Sequence, residues 1–247
     1  MRTEIYCISD KGNVRLSNQD SYLIDKAHGI YVVADGMGGH EDGEIASKTA
    51  CADIVSSIVE TIADDRHQPK DSELLVALAE SIRSANSAIG LLNNGKDGIG
   101  AMGTTVACVV LSGQTLFYGN VGDTRIYYIE KDQKRLRIFS RDHTLEAQSI
   151  ERGMPPDFAA RFRHTLTQAV GTKGEVEPTI GKFPVLSAGT LLVASDGLHN
   201  YFEAPELEAV LVDENCFETD VTNHLLNLAL ARGGEDNITI VQVNVIY

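Results

Sequence analysis

Asp20-Ser-Tyr-Leu-Ile-Asp25-Lys-Ala-His-Gly-Ile30-Tyr-Val-Val-Ala-Asp35-Gly36 is the stretch on which the fold turns. Residues 21–25 and 30–34 are short runs rich in β-branched and aromatic side chains, separated by Lys26-Ala27-His28-Gly29, and read as two strands of a hairpin. With Asp25 opposite Ile30, the register pairs Leu23 with Val32 and Asp20 with Asp35. Directly opposed residues have Cβ atoms only about 4.5–5.5 Å apart. Two carboxylates that close repel each other unless a proton or a cation lies between them.

The ending of the second strand is repeated downstream. Leu191-Leu-Val-Ala-Ser-Asp196-Gly197 again delivers an Asp-Gly from a buried apolar strand, while Asp236 stands just before a strand over 237–245. If that last strand runs antiparallel to the other two, Asp35, Asp196 and Asp236 arrive at one edge of the sheets. Asp123, in the turn Gly122-Asp123-Thr124 between strands 115–121 and 125–130, is a fifth carboxylate for the group beside Asp20. All donors are oxygens, which suits Mg²⁺ or Mn²⁺ rather than Zn²⁺. Gly36 lets the backbone approach an ion and offer its carbonyl. Arg15 lies five residues before Asp20, and a guanidinium matches a phosphate bidentately where lysine does not. Taken singly, each Asp-Gly is foremost a turn signal; the shared edge and the hairpin pairing make the set a site.

Around these strands, helical spacing marks 44–63 (Ile45, Thr49, Ile54, Ile58, Val59, Ile62) and 74–92 (Leu74, Leu75, Leu78, Ile82, Ala85, Ile89, Leu92). Further strands fall at 104–111, 136–140 and 190–194. Helical pieces fall at 145–152, 205–212 and 220–232, with an irregular stretch through Pro155, Pro156 and Arg163. Hairpin-linked strands with helices between them indicate an α+β protein with helices covering antiparallel sheets. No internal repeat or linker divides the 247 residues, so one domain over 1–247 is expected.

Composition narrows the function. A net charge of −14 repels nucleic acid and anionic membrane, and an anionic substrate then calls for bound cations. No apolar run is long enough to span a membrane and the start lacks signal-peptide character, giving a cytoplasmic expectation. Cys7, Cys51, Cys108 and Cys216 are scattered and make no thiolate site. Gly98-Ile-Gly100-Ala-Met-Gly103 matches a dinucleotide fingerprint but leads into a strand instead of a helix.

Arg15-Leu-Ser-Asn18-Gln19-Asp20, Val33-Ala-Asp35-Gly36-Met-Gly38-Gly39-His40, Gly103-Thr104-Thr105, Asn120-Val-Gly122-Asp123-Thr124-Arg125, Leu166-Thr167-Gln-Ala-Val-Gly171, Ala194-Ser-Asp196-Gly197-Leu and Asp236-Asn237-Ile-Thr form an ordered series. Together they resemble the motifs of the protein phosphatase 2C family in its bacterial form, over essentially the whole chain. The resemblance implies a four-layer α-β-β-α sandwich, two antiparallel sheets flanked by helix pairs, with two Mn²⁺ or Mg²⁺ ions at one end. It implies that Asp35 bridges both metals, Gly36 gives its carbonyl, Asp196 and Asp236 complete the first metal, and Asp20 serves the second. It likewise assigns Asp123, with Asp196, to a third and weaker metal, and Arg15 to the phosphate. Residues 141–164 correspond to a flap beside the active site, which makes His164, His40 and Asn237 possible substrate contacts. The implied reaction is hydrolysis of phosphoserine and phosphothreonine in proteins by a metal-bridging water, opposing bacterial Ser/Thr kinases; monomer is the default. The chain departs from the animal enzymes at Gln19, where they carry glutamate, and at Met37, where they carry a histidine proposed as general acid. A catalytically weak phosphoprotein-binding module on the same fold is the alternative.

Overall fold

The computed structural model describes residues 1–39, 42–62, 69–96, 100–172 and 174–246. In chain order the elements are β1 (Arg2–Asp10), β2 (Asp20–Asp25), β3 (Ile30–Met37), α1 (Asp42–Ile62), α2 (Asp71–Leu92), β4 (Gly103–Thr104) and β5 (Val106–Ser112). There follow β6 (Thr115–Val121), β7 (Arg125–Glu130), β8 (Leu136–Ile138), α3 (Leu145–Glu151), α4 (Pro156–Ala159) and a 3₁₀ turn (Ala160–Phe162). The chain closes with β9 (Thr179–Pro184), β10 (Gly189–Ala194), α5 (Asp196–His199), α6 (Ala204–Asp213), α7 (Thr222–Ala231) and β11 (Ile238–Ile246).

Two sheets result, ordered β1-β11-β10-β7-β8 and β2-β3-β5-β6-β9, with β4 added beside β3. Their strand pairs are all antiparallel. The apolar runs of β3 and β10 are continuous because both faces are covered. Tyr31 and Val33 of β3 meet Leu191 and Val193 of β10 and Val241 of β11 between the sheets. On its other face β3 sends Ile30, Val32 and Ala34 against Ala50, Ile54 and Ile58 of α1 and Leu78 and Ile82 of α2. Leu192 and Ala194 of β10 pack with Leu207, Leu225 and Ala229 from α6 and α7. Helices, sheet, sheet, helices: this is the four-layer sandwich, and it buries side chains on both faces of each sheet.

The hairpin register is the one expected, with Asp20 opposite Asp35 and Asp25 opposite Ile30. Three expectations need correction. β11 pairs antiparallel with β10 but not with β3, which belongs to the facing sheet, so the carboxylates meet at the shared edge from both sheets. The strand expected over 104–111 is broken at Thr105, because Thr104 turns aside to pair with Gly36 and bridge to Val170. The segment read as irregular around Pro155 and Pro156 is helical. Pro156 starts α4, in the first turn, where its missing N–H has no helical acceptor to lose. Among the described residues no helix is long and apolar enough to cross a membrane.

Candidate metal centre

β3 delivers Asp35 at the end of the sandwich where β10 runs into Asp196 and where Asp236 precedes β11. The Asp35 backbone is fixed from both sides by hydrogen bonds. The Asp35 carbonyl accepts from Thr105 N–H (2.8 Å) and from Thr104 Oγ1 (2.9 Å), while Asp35 N–H donates to Thr105 Oγ1 (3.2 Å). Gly36 stands so close to the start of α1 that a Cβ there would lie 2.1 Å from the Gly43 carbonyl and 2.6 Å from that of Gln19. Only glycine permits that approach.

Asp20 bridges the sheets. Its Oδ2 accepts from Ser195 Oγ at 2.7 Å, and Ser195 in turn exchanges bonds with the Thr239 backbone on β11 (2.9 and 3.0 Å). Asp123 sits in a turn held by two histidines. Gly122 N–H donates to His143 Nδ1 (3.2 Å), which leaves Nε2–H to donate to Thr179 Oγ1 (3.0 Å). Burial drives the His199 ring down to about 4, so it is neutral and its Nε2–H donates to the Asp123 carbonyl at 3.0 Å. Arg125 forks onto Asp142 with bonds of 2.6–3.1 Å just after the turn.

Asp35, Asp123, Asp196 and Asp236, with the Gly36 backbone and Arg15, line one cavity of about 300 Å³. Its electrostatics are those of crowded, desolvated anions. Burial and then the charges of Asp20 and Asp196 push Asp35 well above the ordinary carboxylate range. Burial raises Asp20 to about 7, although the Ser195 and Thr239 hydrogen bonds oppose it. Asp123 is raised to about 7 by burial and by Asp196. Burial would raise Asp196 as well. The His164 imidazole 3.9 Å away, Asn200 at 3.1 Å and a proton shared from Asp35 outweigh it, and Asp196 is held low.

Two atoms test whether these residues fit a cation. Asp20 Oδ1 and Asp196 Oδ1 are buried and have no hydrogen-bond partner. An unpaired buried carboxylate oxygen is costly, and a hard cation with its waters satisfies it. No three acidic, imidazole or thiol side chains among the described residues already surround one point. Mg²⁺-type ions do not require that, since they keep several waters and use one or two carboxylates. The donor set fits.

Arg15 reaches this cavity and pairs with Asp236 at 2.6 Å, its side chain 54% exposed. Asn237, expected among the substrate contacts, is only 4% exposed, and its amide is taken up by the Arg15 loop. Its Oδ1 accepts from Gln19 N–H (2.8 Å), and its Nδ2 donates to the Lys11 and Ser17 carbonyls (2.9 and 3.0 Å). His164 lines the cavity with its side chain 67% exposed. His40 lies outside the described residues. Ser195 and His143 had no role in the sequence reading, and Thr105 stood there only as part of a motif. Ser195 carried a signal, being a polar residue at a buried position between the apolar strand β10 and Asp196.

The family model for protein phosphatase 2C matches residues 13–227. A serine/threonine phosphatase stp of Listeria innocua is 30% identical over 242 residues, covering 95% of this chain and 93% of that protein. Among solved structures, the S. agalactiae serine/threonine phosphatase superposes with a TM-score of 0.83 at 30% identity, covering 99% of this chain and 100% of that one. The catalytic domain of serine/threonine protein phosphatase PstP, solved in complex with two manganese ions, gives 0.80 at 26% identity over 99% of both chains.

Proposed function

The chain belongs to the protein phosphatase 2C family, and from that premise we propose that it is a metal-dependent phosphatase of phosphoserine and phosphothreonine in proteins. The observation that carries the reading is the cavity where Asp35, Asp123, Asp196 and Asp236 face Arg15, with orphaned oxygens on Asp20 and Asp196.

In this reading Asp35, the Gly36 carbonyl, Asp196, Asp236 and Asp20 would together hold two Mn²⁺ or Mg²⁺ ions. Asp123 with Asp196 offers a third, weaker position. Bound there, the cations supply Lewis acidity that lowers the pKa of water and neutralises charge on phosphoryl oxygens. The protein's own groups do the rest. Arg15 uses one Nη on Asp236 and lines the cavity, and its other donors would receive a phosphate as a fork. Thr104 and Thr105 fix the Asp35 backbone, so that its carboxylate is positioned before substrate arrives. Ser195 holds Asp20 in one orientation across the sheet gap.

The relatives are bacterial serine/threonine phosphatases by name, which supports phosphoproteins, and the work of opposing Ser/Thr kinases, as the role here. The catalytic unit extends over 1–247, and residues 141–164 form its flap. Release of inorganic phosphate from a phosphothreonine peptide with Mn²⁺, alongside p-nitrophenyl phosphate, tests this. Turnover of both that EDTA stops supports an enzyme. Tight peptide binding without phosphate release means a binding module.

A further inference from the structure

A second cavity, of about 640 Å³, opens directly off the carboxylate chamber: Arg15, His164 and Asp236 line both. Val14, Arg163, Asn200, Tyr201 and Glu235 complete its walls. Val14 is 63% exposed, yet the loop that carries it is pinned at both feet. Asn13 donates its backbone N–H to the Gly234 carbonyl (2.7 Å) and its side-chain amide to the Leu230 and Gly233 carbonyls (2.9 Å each). Asn237 holds the other foot through Lys11 and Ser17. The ordering cost of presenting an aliphatic side chain to water is thus already met in the free chain.

Tyr201, in the same cavity, is equally fixed. Its hydroxyl accepts from Glu235 N–H at 2.7 Å and its carbonyl accepts from Arg232 Nη1 at 2.6 Å. A rigid ring and a rigid aliphatic group offer contact area at little further entropic cost. The charges give little selection. Arg15 is paired with Asp236 and Arg163 with Glu146 (3.5 Å), and Glu235 lies on the exposed rim, where a single charge contributes little.

Resting on the phosphatase reading, we propose that the cleft holding Val14 and Tyr201 is the subsite for the residue adjacent to the phosphorylated one, and that it favours an aliphatic side chain there. Consecutive Cα atoms are about 3.8 Å apart, so a phosphate on Arg15 places the flanking residue at the cavity that shares Arg15. An acidic flank meets Glu235 in a chain of net charge −14, and a basic one finds Asp236 already paired with Arg15 and only the exposed Glu235 to face. Val14 and Tyr201 remain to discriminate.

The test uses phosphothreonine peptides that differ only in the neighbouring residue, Leu, Ser, Asp or Lys, placed on each side in turn. The wild-type chain and Val14→Ser and Val14→Ile variants are assayed with Mn²⁺. The readout is the ratio of kcat/KM between Leu- and Ser-flanked peptides, in which any general loss of activity cancels. The wild type is expected to favour Leu about five- to tenfold, mainly through KM, the effect of one or two buried methylenes. Val14→Ser brings the ratio near one, and Val14→Ile keeps it. Equal rates for Leu and Ser in the wild type, a preference for Asp or Lys, or a preference that survives Val14→Ser overturns the subsite. If the wild type fails to hydrolyse p-nitrophenyl phosphate with Mn²⁺, the phosphatase reading falls, and the subsite with it. Intact hydrolysis without a flank preference overturns the subsite alone.

Discussion

Asp20→Asn should make the metal-free protein more stable at pH 8, although it removes a carboxylate from the site. Asp20 is 7% exposed and its titration is raised from 3.8 to about 7, chiefly by burial. The sign follows from proton counts. Between these two values the folded chain holds a proton that the unfolded chain has released, so stability falls as pH rises through the window. From about pH 5 to pH 7 two pKa units at about 1.4 kcal/mol each give a loss of about 3 kcal/mol, which levels off above the folded value. Asparagine stays neutral and can still accept from Ser195, so the variant escapes this loss. Urea unfolding in EDTA at about pH 5 and pH 8 should show a gap of about 2–3 kcal/mol in the parent that is absent from Asp20→Asn, once the pH slope common to both is subtracted. A variant less stable than the parent at pH 8 in EDTA, or one with the parent's full pH slope, refutes the claim that Asp20 is a desolvated anion awaiting a cation. Adding Mn²⁺ should reverse the ranking, because a ligand that binds only the folded state stabilises the chain that binds it better.

Asp35→Asn should lower phosphothreonine-peptide turnover by about a thousandfold or more and weaken Mn²⁺ binding in calorimetry, since both depend on the same carboxylate. Arg15→Lys should raise KM about tenfold with a smaller change in kcat, because an ammonium cannot reproduce the fork on phosphate; an unchanged KM for phosphopeptide removes Arg15 from the phosphate site. Gly36→Ala would put a Cβ 2.1 Å from the Gly43 carbonyl, so it should cost about 2–4 kcal/mol of stability in urea unfolding and displace β3 from α1.

The hairpin of residues 20–36 was legible because its information is local. A four-residue loop and two apolar runs fix the register, and the register alone places Asp20 against Asp35. The long helices were legible from their spacing, and α1 and α2 start and end within a few residues of the expected limits. The edge strands β1 and β9 were not. β1 is largely half-buried, without a clean alternation, and is a strand chiefly because it pairs along its whole length with β11. β9 reads Thr-Ile-Gly-Lys-Phe-Pro, whose glycine and proline argue against a strand except at an edge, where it lies. At the site, the identity of the aspartates was readable and their support was not. Ser195 reaches Asp20, and His143 reaches the turn of Asp123, only through the tertiary fold that brings distant segments together. No spacing within either segment encodes that closure.

The central claim is that this set of aspartates holds divalent cations where Arg15 receives phosphate. The most direct measurement is an anomalous difference map at the manganese absorption edge from crystals grown with Mn²⁺. The account predicts peaks in contact with the carboxylates of Asp35, Asp196 and Asp236, within reach of Asp20, in the cavity lined by Arg15. Absence of any peak there, or manganese bound only elsewhere in a chain that still turns over phosphopeptide, would contradict it.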